Sequence, residues 1–178
     1  MIAVDTNILV HAHRRDSPFY EPAHRCLTVL SEGRGTWAIP WPCIHEFLAV
    51  VTNQRTFLPP STLDDALKQV DAWLASPSLV VLGETGDYWP VLSATARTGR
   101  VAGPRIHDAR IAALCQLHGV RELWTADRDF TRFPSVAVFN PLLGDAVHET
   151  PPAYGARRRA RAIAARRAAR SRLATRRS

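Results

Sequence analysis

The sequence predicts an α/β fold in which helices cover both faces of a parallel sheet. Three observations lead there. Short apolar runs alternate with stretches of helical spacing from residue 1 to about residue 139. Gly and Pro punctuate the joins, at Pro18, Gly33, Gly35, Pro40, Pro77 and Gly119. Asp5 and Asp127 stand just after strand-like runs, where open parallel sheets collect functional groups.

The elements follow in order. Met1–Val4 is a short apolar strand that stops at Asp5. Asn7 is a suitable cap for a helix over Ile8 to about Arg15, and Asp16-Ser17-Pro18 breaks it. Tyr20–Leu30 has helical spacing, with Ala23, Leu27 and Leu30 on one face, and Gly33 and Gly35 end it. Thr36–Ile39 is a second strand closed by Pro40. Pro42 fits the first turn of a helix over about Cys43–Thr52, with Ile44, Phe47, Leu48 and Val51 as its apolar stripe and Glu46 beside it. Phe57–Pro60 is a loop. Ser61 with Asp64 resembles a capping pair for a helix to about Ala75, showing Leu63, Leu67, Val70 and Leu74. Leu79–Leu82 is a third strand. A helix over roughly Tyr88–Thr98 follows, with Pro90 in its first turn. After the loop Gly99–Pro104, Ile106–His118 is a strong helix ended by Gly119. Glu122–Thr125 and Val136–Phe139 are the fourth and fifth strands.

A chain of 178 residues fits one domain with a tail, and 46% hydrophobic residues suffice for a core. No run of about 20 apolar residues is present, so no membrane span is expected. The first residues lack the basic-then-apolar layout of a signal peptide. Cys26, Cys43 and Cys115 are far apart among apolar neighbours, matching neither zinc spacing nor a disulfide framework. They read as small core residues in a cytoplasmic, reducing compartment. The net charge of +7 is unevenly placed. Residues 157–178 hold ten arginines and no acid, which leaves 13 basic against 16 acidic residues before them, a net of −3.

Asp5, Glu46, Asp108 and the pair Asp127/Asp129 carry the functional information. Each is flanked by apolar residues in a strand or helix pattern. Asp and Glu are rarely buried unless paired, because desolvation disfavours their charge. Several converging carboxylates would also repel one another. A hard divalent cation, which prefers oxygen ligands, relieves that repulsion. The first reading is therefore a carboxylate metal site, and such sites commonly perform phosphoryl chemistry.

Four segments carry a resemblance: Val4-Asp5-Thr6-Asn7, His45-Glu46, His107-Asp108-Ala109, and Thr125-Ala126-Asp127-Arg128-Asp129-Phe130. In order and spacing they resemble the four motifs of the PIN-domain nucleases, and within them the VapC-type toxins of bacterial toxin–antitoxin pairs. Gly103-Pro104 is also similar to a segment of that branch. The likeness covers about residues 1–144. It implies a PIN-like three-layer α/β/α fold with roughly five parallel strands. It implies a metal-dependent endoribonuclease using Mg²⁺ or Mn²⁺, the toxin of a type II toxin–antitoxin system. Its partners would be an RNA substrate, a VapB-type antitoxin and a second copy in a homodimer. Asp5, Glu46, Asp108 and Asp127 would be the catalytic, metal-holding carboxylates. Thr6, Asn7 and Thr125 would support them, and Asp129 would be a supporting or alternative fourth ligand. The products would carry 5′-phosphate and 3′-hydroxyl ends.

Each acid also has a plainer reading: a helix cap for Asp5, an exposed helix charge for Glu46, and an N-terminal helix charge favoured by the dipole for Asp108. His45 and His107 precede site acids, but adjacent helical residues do not face the same way. The seven histidines therefore read as solvated or satisfied. No Ser-His-Asp arrangement, P-loop or dinucleotide turn is present.

Residues 145–156 form a linker with Pro151, Pro152 and Gly155, and residues 157–178 a basic Arg/Ala tail. Ile163 and Leu173 are the tail's only large apolar residues, so it has no face for packing. It reads as a solvated appendage or as an electrostatic RNA contact without aromatic stacking groups. VapC-type toxins end near Leu143, so the tail departs from their pattern. A second functional reading is a non-catalytic RNA-binding PIN module with a vestigial metal site. Such a site would have lost carboxylates, and all are present. A DNA-directed nuclease is a third.

Overall fold

The structure, a computed structural model, describes residues 1–143. Its strands are β1 (Ile2–Val4), β2 (Trp37–Pro40), β3 (Leu79–Leu82), β4 (Glu122–Trp124) and β5 (Ala137–Phe139). Its helices are α1 (Thr6–His13), α2 (Tyr20–Glu32), α3 (Trp41–Val51), α4 (Leu63–Leu74), α5 (Tyr88–Thr98) and α6 (Ile106–Leu117). All strand pairs are parallel, in the order β3-β2-β1-β4-β5. The chain winds outward from β1 to β3, then crosses to β4 and β5 on the other side. Right-handed crossovers in opposite directions place the intervening helices on opposite faces, which gives the three-layer α/β/α arrangement. The order reverses between β1 and β4, so their carboxyl ends open a crevice at the centre of the sheet.

Burial explains the central elements. Ala3, Val4, Trp37, Ala38, Ile39 and Leu123 are at most 1% exposed, as strands covered on both faces require. In α6 Ala109 and the run Ile111 to Cys115 are all buried, so this helix is apolar nearly all round and lies in the interior. Gly119 ends it with φ +64°, a conformation that favours glycine. The three cysteines are buried and unpaired.

Several details differ from the sequence reading. Asp5, not Asn7, caps α1, because its backbone is still extended and its carboxylate reaches the Thr6 N–H. Asn7 lies inside the first turn and spends its amide on the sheet edge. Pro40 belongs to β2, and α3 begins at once with Trp41. In α3, Cys43 joins Ile44, Phe47 and Val51 in the core, whereas Leu48 is only half-buried. The α4 cap is Thr62 with Asp65: its hydroxyl accepts from the Asp65 N–H at 3.1 Å and donates to Asp65 Oδ2 at 2.7 Å. Ser61 is instead engaged by His13 at 3.0 Å.

The buried stripe of α4 is Ala66, Val70 and Trp73. Leu63, Leu67 and Leu74 are 42–58% exposed. The face carrying the larger Trp73 ring wins the core, packing edge-on to Phe47 with centroids 4.8 Å apart. Two 3₁₀ turns, Gly103–Arg105 and Arg128–Arg132, occupy stretches given no regular structure by periodicity. Among the described residues no helix is long and apolar enough to cross a membrane. The linker 145–156 and tail 157–178 lie outside the described residues.

Candidate active site

The crevice between β1 and β4 is built by three polar residues around one carboxylate. The Asp5 N–H donates to Trp124 O at 3.0 Å and the Thr125 N–H to Phe139 O at 2.9 Å, so the sheet ladder continues past the strand ends. Asp5 then turns its side chain back, with Oδ1 accepting from the Thr6 N–H at 2.8 Å. The Thr125 hydroxyl donates to Asp5 Oδ2 at 2.6 Å. It accepts from the Asn7 amide at 2.8 Å and from the Asp127 N–H at 2.9 Å. A hydroxyl has one proton and two lone pairs, so Thr125 is saturated and fixed. Asn7 Nδ2 also donates to Asp5 Oδ2 at 2.5 Å, while its Oδ1 accepts from the Ala126 N–H at 3.0 Å. Only this amide orientation gives every atom a complementary partner.

Asp5 is 4% exposed. Burial pushes its carboxyl up to about 6; the Thr125 and Thr6 donors hold it down, and the charges of Glu46 and Asp127 raise it further. Asp108, in the first turn of α6, is also raised, by burial first and then by Asp127, Asp129 and Glu46, with Arg132 opposing. Asp5 and Asp108 therefore both feel the charges of Glu46 and Asp127, and Asp108 also feels that of Asp129. Glu46 projects from α3 and accepts from the Thr6 hydroxyl at 2.7 Å. Thr6 thus serves two acids, through its backbone and its side chain.

Asp127 caps the 3₁₀ turn Arg128–Arg132, with Oδ1 accepting from the Asp129 N–H at 2.7 Å. Asp129 faces basic groups: Arg132 Nη2 at 2.9 Å and Arg105 Nε at 3.9 Å. Arg132 holds its carboxyl below the ordinary value. The two alternatives for the fourth acid therefore occupy different surroundings. Cys43 Sγ lies 3.8 Å from Asp5 Oδ1. Burial raises this thiol well above its usual range, so it stays a neutral, weak donor.

Every acid in the cluster offers oxygen, the donor that suits a hard divalent cation. Among the described residues no three His, Cys, Asp or Glu side chains close into a ready-made cage. Asp5 faces its donors, Glu46 faces Thr6, and Asp127 faces the Asp129 N–H.

Beside the crevice lies a group of residues that sequence periodicity does not single out as a site. Trp41 and His45 stack with centroids 5.9 Å apart at 25°, and Arg110 pairs with Glu84 at 2.9 Å. The available signal was position: Trp41 immediately follows β2, and Glu84 comes two residues after β3 ends. The other histidines are satisfied where the structure shows partners, as in His118 Nε2 to Gly83 O at 2.7 Å.

A doubly wound parallel sheet with acidic residues gathered at its central crevice defines an α/β domain of nuclease-like layout. Residues 2–136 match the PIN domain, and the chain belongs to the PIN-domain family. It is 30% identical to Ribonuclease VapC48 of Mycobacterium tuberculosis over 140 residues, 79% of this chain and 97% of that protein. It is 33% identical to Ribonuclease VapC43 of the same species over 144 residues, 81% and 97% of the two chains. In fold it is similar to VapBC2 from Rickettsia felis, solved bound to a promoter DNA fragment. That match has a TM-score of 0.57 at 19% identity and covers 79% of this chain and 98% of that one.

Proposed function

We propose that the chain is a divalent-metal-dependent endoribonuclease, the toxin of a toxin–antitoxin pair. The observation that carries this is Asp5, a carboxylate buried between β1 and β4 with a raised pKa beside other acids. Such a group is costly unless a cation compensates it. The ribonuclease names of the relatives support RNA as the substrate.

Asp5, Glu46, Asp108 and Asp127 would hold Mg²⁺ or Mn²⁺. The bound cation would neutralise a nonbridging phosphate oxygen and acidify an attacking water. Thr125, Asn7 and the Thr6 N–H fix the Asp5 carboxylate so that it cannot swing away. Thr6 orients Glu46, an exposed carboxylate suited to accept the water's proton. Arg132 and Arg105 draw Asp129 aside, which favours Asp127 as the fourth ligand and gives Asp129 a supporting role.

A VapB-type antitoxin is the expected partner, in keeping with the Rickettsia felis complex. The exposed Leu63, Leu67 and Leu74 of α4 are in keeping with a homodimer surface. Residues 1–144 would be the nuclease domain, with the basic tail appended through the linker. Purified protein incubated with RNA and Mg²⁺ tests the reading. Asp5→Asn and Asp108→Asn should each cut cleavage by at least about 100-fold, equivalent to about 2.7 kcal/mol of transition-state stabilisation. Near-wild-type cleavage by both variants would refute the site. RNA binding without cleavage by the wild type would instead favour a non-catalytic module.

A further inference from the structure

A second pocket of roughly 400 Å³ opens at the carboxyl ends of β2 and β3, lined by Trp41, His45, Leu82, Glu84, Arg110 and Leu114 among others. It shares the functional edge of the sheet and two helices with the acidic crevice. On α3, Glu46 follows His45. On α6, Asp108 precedes Arg110 by two residues. The floor is apolar, since Leu82 and Leu114 are fully buried. One wall is flat: the Trp41 and His45 rings stack, and Trp41 remains 40% exposed. The rim is polar, with Arg110 and Glu84 joined at 2.9 Å.

A flat aromatic wall, an apolar floor and an Arg/Glu rim match one ligand chemistry, an unpaired nucleobase. The base face would stack on the indole, and its edge would find donors on Arg110 and acceptors on Glu84. A bare phosphate would gain nothing from the aromatic wall. We propose that this pocket takes one unpaired base of the RNA strand flanking the scissile phosphate. The inference rests on the nuclease reading and adds a substrate-positioning subsite to it.

Binding of a fluorescent single-stranded RNA oligonucleotide in EDTA tests the pocket without cleavage. Trp41→Ala should weaken binding about 10-fold, within the range of one stacked base, and Trp41→Phe should stay within about threefold of wild type. An oligonucleotide made abasic at the flanking position should bind wild type about 10-fold more weakly and no longer distinguish it from Trp41→Ala. With Mg²⁺, KM should rise and kcat should hold, the signature of lost substrate binding. Equal RNA affinity of folded Trp41→Ala and wild type would overturn the proposal and reassign the pocket to a protein side chain. Should Trp41→Ala fail to fold by circular dichroism, the exposed His45→Ala carries the test, with about threefold weaker binding expected and equality overturning it. Wild-type protein that neither binds nor cleaves RNA would sink the nuclease reading itself, and the subsite with it.

Discussion

Replacing Asp5 by Asn separates the electrostatics of the crevice from its packing. The Asp5 carboxyl is raised from an ordinary 3.8 to about 6, chiefly by burial. Between those values the folded protein holds a proton that the unfolded chain has released. Stability therefore falls as pH rises through this window, and the cost is complete above about pH 6. A rise of about two pH units corresponds to about 3 kcal/mol, and Asp5 is too buried for solvent to screen much of it. Asn keeps the shape but cannot ionise, so it lacks this pH-dependent cost. Its NH₂ would face either the Thr6 N–H or the Thr125 and Asn7 donors, which adds a pH-independent loss of about 1–2 kcal/mol. His11 and His13, both lowered by burial, act oppositely: their contribution is lost as pH falls below 6.5. They are common to both proteins and cancel in the difference. Urea unfolding of wild type and Asp5→Asn in EDTA, followed by circular dichroism from pH 4 to 7, gives that difference directly. The stability of wild type minus variant should drop by up to about 3 kcal/mol as pH rises. Parallel profiles, with a difference constant within about 0.5 kcal/mol, would show that Asp5 is not the buried, repelled carboxylate described above.

Asp127→Asn should lower RNA cleavage by about 100-fold, and Asp129→Asn by about 10-fold or less, because Asp129 is already held by Arg132 and Arg105. Equal losses would mean that the two acids share the role. Deleting Arg157–Ser178 should weaken RNA binding at low salt and flatten its salt dependence by about 0.7 per lost phosphate contact, while cleavage at saturating RNA persists. Identical salt slopes would make the tail a solvated appendage. Gly99→Ala should cost about 1–3 kcal/mol in thermal or urea unfolding. A Cβ there would lie 2.5 Å from Phe133 Cε1, on a ring that is itself only 1% exposed. An unchanged melting temperature would show that the ring has room to move.

The strand–helix rhythm was legible because apolar runs and helical stripes differ in period, and the boundaries moved by only a few residues. Tyr88–Thr98 is legible because Pro90 fits its first turn and Gly99 follows its last residue. Asp5 and Asp127 were legible as crevice residues because they follow strand runs. What eluded the sequence was choice among equivalent neighbours. Asp5 and Asn7 are both good caps, and only the extended backbone after β1 selects Asp5. α4 carries two apolar stripes, and the leucine stripe lost to Trp73 because Phe47 waits opposite. Asp127 and Asp129 read alike until Arg105 and Arg132 appear beside one of them. Trp41 and His45 lie one turn apart on α3, but Glu84 and Arg110 are distant in sequence and join them only when α3 and α6 meet at the sheet edge.

The central claim is that the acids at the β1/β4 crevice act through a divalent cation. The direct measurement is cleavage of RNA by the purified protein in EDTA, then after restoring Mg²⁺ or Mn²⁺, with circular dichroism recorded in parallel. The account predicts a folded protein throughout, no cleavage in EDTA and full recovery with either ion, leaving 5′-phosphate and 3′-hydroxyl ends. Bound cation should also raise the unfolding midpoint, since it relieves carboxylate repulsion only in the folded state. Cleavage that continues undiminished in EDTA would contradict the account.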